Sequence, residues 1–145
     1  MDYSNYHFSI IFEYFISFLG VLLSIIFLIC GIVYLLKQYL QSKNVVEFIG
    51  IIACAVVIIV IAYFSRNYFK DIPNIVIKNY TITYGVVVEG DNGGRNFNTR
   101  GIVFKKEDGE IVKLVVNYYP IVSGEKFEVI YLPNTGFGAI IQKIE

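Results

Sequence analysis

The sequence has no tryptophan, one histidine, one methionine, two cysteines, three prolines and four alanines. With only His7, no histidine pair exists to share a metal or to serve a nucleophile in the C-terminal half. Cys30 and Cys54 both lie inside apolar runs, far apart, and read as small packing residues rather than a redox or zinc pair. Charge is scarce as well. Charged residues make up 17% of the chain and balance to a net charge of zero. A binder that relies on bulk positive charge against nucleic-acid phosphates is thereby excluded. The scarcity of alanine beside 24 isoleucines suits an AT-rich bacterial genome.

Apolar residue dominates what is present, at 56%, and it is unevenly placed. Phe15 to Leu36 carries no charge over 22 residues. As a helix this run spans about 33 Å, enough for a hydrocarbon core of about 30 Å. A second run, Val45 to Phe64, has one charge, Glu47, near its start. No Lys or Arg precedes the first run and no small-residue cleavage site follows it, so it does not read as a signal peptide. Residues 1–72 are therefore expected to form a transmembrane hairpin, with helices at about 10–36 and 45–66 joined by Lys37–Asn44. Tyr34, Tyr39, Tyr63, Phe64, Tyr68 and Phe69 gather at the helix ends, as aromatic residues do at headgroup level. Pro73 is expected to close this half. His7 reads as an interfacial residue. Lys37 and Lys43 pull the short loop into the cytoplasm, which places the C-terminal half outside. Arg66 and Lys70 pull the other way.

From Asn79 the period changes to two, the mark of half-buried strands. Tyr80 to Glu89 alternates, and a turn-rich loop follows at Gly90–Gly94. Strands are expected at 101–106, 111–119, 127–132 and 139–144, with Asp108-Gly109 as a hairpin turn. Residues 79–145 thus form a small all-β domain. The fold class is α+β: a two-helix transmembrane hairpin, then a small five-stranded antiparallel β-barrel or β-roll, OB-like in size. A closed barrel and an open roll both satisfy the pattern.

The stretch from Tyr119 to Thr135, YPIVSGEKFEVIYLPNT, resembles a segment of the DUF3592-like small bacterial membrane proteins of unknown function. In both, Gly, two charges, an aromatic residue, then Val, Tyr and Pro at alternate positions follow membrane helices. The two-part layout is also similar to the membrane-anchored OB domains of NfeD-like proteins. The resemblance implies an architecture: Gly124 in a turn, Phe127, Val129 and Tyr131 on one strand face, Pro133 at the strand end. It implies no catalytic residue.

No catalytic, cofactor or metal site is expected. The hairpin acids Glu107, Asp108 and Glu110 read as ordinary turn residues. Gly90–Gly94 lacks the Lys and Ser/Thr of a phosphate loop, and Ser123 sits in a turn with no base. The β half carries seven basic residues against eight acids, so nucleic acid is not an expected partner. No small-molecule substrate is evident. Tyr118 and Tyr119 point to opposite strand faces, and one of them is a candidate protein-contact residue. The expected role is a non-enzymatic membrane protein, with the lipid bilayer and either a protein partner or a second copy as its contacts. Two further readings stay open: an immunity protein against a membrane-acting toxin or bacteriocin, and a subunit of a homo-oligomeric channel or transporter.

Overall fold

A computed structural model describes residues 4–90, 100–117 and 120–144. Two helices come first: α1, Ser4–Ser42, and α2, Val45–Val76. Both are long and apolar enough to cross a membrane. Both outrun the expected bounds. Helix α1 spans about 58 Å at about 1.5 Å per residue, well beyond one hydrocarbon thickness. The Lys37–Ser42 stretch, expected as loop, is helical because it contains neither Gly nor Pro to stop propagation. The break comes at Lys43, whose φ of 56° is left-handed. Asn44 then caps α2, its side-chain oxygen accepting from the Val46 N–H at 3.1 Å.

Pro73 does not close α2. It sits inside the last turn of the helix, where its missing N–H leaves only one carbonyl without its helical donor. The chain leaves helical geometry at Lys78, with φ 54°, after the Pro73 carbonyl has accepted from the Ile77 N–H.

The chain divides into two compact units, Phe15–Phe69 and a second made of Met1–Tyr14 with Lys70–Glu145. The first is an antiparallel helical hairpin. Tyr39 meets Phe48 near the link, with ring centroids 5.6 Å apart, and Phe18 meets Tyr68 and Phe69 at the far end. Leu35 packs over Gly50, where a Cβ would stand 3.1 Å from the leucine methyl. Most large apolar side chains of the hairpin, Phe27 and Ile59 among them, project outward without cover.

The second unit holds five strands among its described residues: β1, Thr81–Glu89; β2, Arg100–Lys106; β3, Ile111–Val116; β4, Lys126–Tyr131; and β5, Phe137–Ile144. They run in the order β1-β2-β3-β5-β4, and β4 pairs back onto β1, so the ladder closes on itself. The expectation of a purely antiparallel arrangement is corrected here. β3 and β5 are parallel, joined by Val115–Phe137 and Val116–Gly138. The reason is parity: direction cannot alternate around a closed ring of five, so one neighbouring pair must run the same way.

Strand β1 serves two partners. Thr81 to Val86 pairs with β4, and Gly85 to Glu89 pairs with β2. Gly85 lies at the handover, and a Cβ there would stand 2.1 Å from the Lys105 carbonyl oxygen. Only glycine lets the backbones come that close. Inside the ring, Phe104, Phe127, Leu114, Val116 and Val129 form the centre of one apolar cluster.

Strand β4 is buried on both faces from Phe127 to Tyr131. Phe127, Val129 and Tyr131 enter the core, whereas Ile130 and Leu132 are buried outside that cluster. Residues at the helix ends that belong to this unit meet β5. Ile10 and Tyr14 are buried, the Tyr14 ring meets the Phe137 ring edge-on at 6.4 Å, and the Tyr6 hydroxyl donates to the Ile141 carbonyl at 3.2 Å.

Candidate functional site

The expected contact residues Tyr118 and Tyr119 lie outside the described residues, as does most of the Gly90–Gly94 loop. The remaining candidates have local structural work. Asp108 accepts from the Glu110 N–H at 2.9 Å and shapes the β2–β3 turn. Glu110 pairs with Lys106 at 2.5 Å. The Ser123 hydroxyl donates to the Val88 carbonyl at 2.6 Å. His7 shares a hydrogen bond through Nδ1 with the Tyr80 hydroxyl, and burial pushes the Tyr80 phenol up to about 12. Among the described residues no cluster of His, Cys, Asp and Glu could hold a metal ion. Glu13 is buried, with its Oε2 lacking a hydrogen-bond partner.

The most connected polar group is one that sequence reasoning passed over. Asp71, in the last turns of α2, is fully buried. Its Oδ2 accepts from the N–H and the hydroxyl of Thr135, both at 2.7 Å. Its Oδ1 accepts from the Asn134 side chain at 2.7 Å, from the Asn134 N–H at 3.3 Å and from Asn74 at 3.0 Å. Every donor is neutral. The carboxylate thus organises the Pro133–Gly136 turn and ties it to the end of α2. It is a structural clasp, with its lone pairs already spoken for. The acid signal was present in the sequence, but an isolated Asp near a membrane helix end reads as a solvated headgroup-level charge.

What remains accessible is the outer face of β1. The strand puts Thr81, Thr83, Gly85 and Val87 toward the ring interior and Ile82, Tyr84, Val86 and Val88 outward. Interior space is taken by Phe104 beneath Gly85, so the larger side chains of β1 have to face out. Ile82 is 39% exposed, Tyr84 43% and Val88 43%, an apolar row along a strand that pairs with β4 in its first part and with β2 in its last. Beside the row lies an open cleft of about 410 Å³, lined by Tyr84, Val86, Lys105, Lys106, Glu107 and Lys126 among others.

The charges near the cleft differ in how they are held. The Lys106 side chain is largely covered. Hydrogen bonds to Glu110 and to the Tyr131 hydroxyl hold its ammonium well above the usual lysine range. Just before β4, the Lys143 ammonium and the Val122 N–H hold the Glu125 carboxyl below its ordinary value. Lys105 and Lys126 are exposed and make no such pair among the described residues. The chain matches no family model and no curated protein.

Proposed function

We propose that this chain is a non-enzymatic, two-span integral membrane protein whose strand unit makes protein–protein contacts at the membrane surface. The observation that carries the reading is the outward apolar row Ile82, Tyr84 and Val88. These side chains stand on a strand that β4 pairs along Thr81–Val86 and β2 pairs along Gly85–Glu89. An aromatic residue flanked by aliphatic ones is the composition of a contact patch rather than of a solvated strand face. The helical hairpin, with its uncovered apolar surface, is read as the anchor. The strand order and the single parallel contact support an OB-like barrel.

The test is site-specific photocrosslinking of the full chain in its native membrane. A photoreactive side chain at Ile82 or Tyr84 is expected to give a discrete adduct, either with a second protein or with a second copy. The same group at Lys113 on β3 is the control. Adducts of equal yield at Lys113, or none at Ile82 and Tyr84, overturn the reading. Release of the chain from membranes by alkaline carbonate overturns the anchor.

A further inference from the structure

We propose that the cleft beside β1 is a binding site for a phosphate-bearing anion, held between Lys105 and Lys126. The argument starts from register. Val86 is opposite Lys126 on β4 and opposite Lys105 on β2, so the three residues form one row across three strands and share the outer face. Neighbouring strands lie about 4.8 Å apart, which sets the two lysine backbones about 10 Å from each other. Two flexible lysine arms at that separation converge on one ion above Val86.

The residues between them leave room for it. Val86, between them on the outer face, carries only a short side chain, and the cleft above measures about 410 Å³, at the small end of the range for ligand sites. Its wall is Tyr84, and among the described residues that line it the only acid is Glu107. The neighbouring lysines show what is unusual. Lys106 has Glu110 and Lys143 has Glu125. Lys105 and Lys126 have no acid partner among the described residues. Two unneutralised ammonium groups flanking one residue repel each other, and an anion seated between them turns that repulsion into attraction. Lysine is a compact point charge that suits phosphate oxygens without demanding a planar, bidentate ligand. The phosphate is either a lipid headgroup or a free phosphate ester, and the experiment separates the two.

The full chain is held in alkyl maltoside micelles, which contain no phosphate, and its lysines are modified with an amine-reactive ester. Peptide mass spectrometry reads each lysine separately. Three samples are compared: micelles alone, micelles with phosphatidylglycerol, and micelles with inorganic phosphate. Modification of Lys105 and Lys126 is expected to slow together by about threefold at two-thirds occupancy, while Lys113 keeps its rate. Protection by phosphatidylglycerol alone identifies a headgroup, and protection by inorganic phosphate identifies a free ion. In Lys105→Gln, a surface change outside the core, the protection at Lys126 is expected to be lost. No protection in either sample, equal slowing at Lys113, or protection of Lys126 that survives Lys105→Gln each overturn the proposal.

Discussion

One carboxylate oxygen of Asp71 receives both hydrogen bonds that Thr135 has to give, from its backbone N–H and from its hydroxyl, each at 2.7 Å. The two residues are 64 positions apart in sequence. The carboxylate is buried, and among the described residues no cation pairs with it. It is stabilised by neutral dipoles alone, as in a turn whose N–H groups converge on an anion.

Removing that acceptor strands several buried donors at once. Asp71→Ala is expected to cost about 3 kcal/mol or more, because each orphaned donor keeps its desolvation penalty. Thr135→Val deletes one donor and leaves the acceptor with others, so its cost is expected near 1 kcal/mol. Chemical denaturation of the full chain in detergent, followed by circular dichroism, measures both. Equal midpoints for Asp71→Ala and wild type would dismiss the clasp.

Two glycines in neighbouring strands should respond in opposite ways. Gly85→Ala drives a methyl to 2.1 Å from the Lys105 carbonyl and 2.8 Å from the Phe104 ring. Backbone cannot yield as a side chain can, so a loss of about 3 kcal/mol is expected. Gly101→Ala meets nothing within 4 Å and removes unfolded-chain freedom, so it is expected to be neutral or to stabilise by about 0.5 kcal/mol. Thermal melts of the pair decide this, and a tolerated Gly85→Ala would contradict the close approach of β1 and β2.

The strand unit should hold a broad stability plateau, with different groups at its two ends. Tyr80 ionises at about 12 when folded against 10.0 normally. The unfolded chain therefore releases that proton first, and stability falls as pH rises from about 10 toward 12. Lys106, also raised, acts in the same direction: its contribution is complete below its ordinary value of 10.5 and is lost above it. Glu125 is lowered, so its contribution is present above about 4.5 and disappears as pH falls further. Denaturation midpoints from pH 3 to 12 give the profile. Tyr80→Phe is expected to flatten only the alkaline limb, and a flattened acid limb in that variant would contradict the assignment.

Topology is directly measurable. Asp108→Cys places a thiol at the exposed β2–β3 turn. The loop lysines Lys37 and Lys43 lead us to expect labelling of intact cells by a membrane-impermeant thiol reagent, with the wild-type Cys30 and Cys54 unlabelled within the bilayer. Labelling only after lysis would place the strand unit in the cytoplasm.

The elements themselves were legible, and the reasons are local. Period-two alternation and Asp108-Gly109 located the strands to within a few residues, and uncharged runs located the helices. What escaped was set by distance along the chain. Pro73 reads as a stop because its ring forbids a helical hydrogen bond, yet the turn that follows it is held by others. β4 reads as a one-sided strand through Phe127, Val129 and Tyr131, but Ile130 and Leu132 are buried as well. The parallel β3–β5 contact has no local signal at all. It follows from closure. Among candidate site residues, Tyr118 and Tyr119 fall outside the described residues, while the outward row on β1 was visible as alternation without a sign for which face was inside. Gly85, over Phe104, decides it.

The one joint that parity makes parallel, β3 with β5, is also the shortest in the ring. Four joints are long antiparallel ladders, and the fifth rests on two residue pairs. A hoop with one short weld opens at the weld. The first excursion from the native state is therefore expected to uncoil the ring into a five-stranded ribbon, with β3 at one border, β5 at the other and β1 in the middle, so that the slowest-exchanging amides are expected in β1.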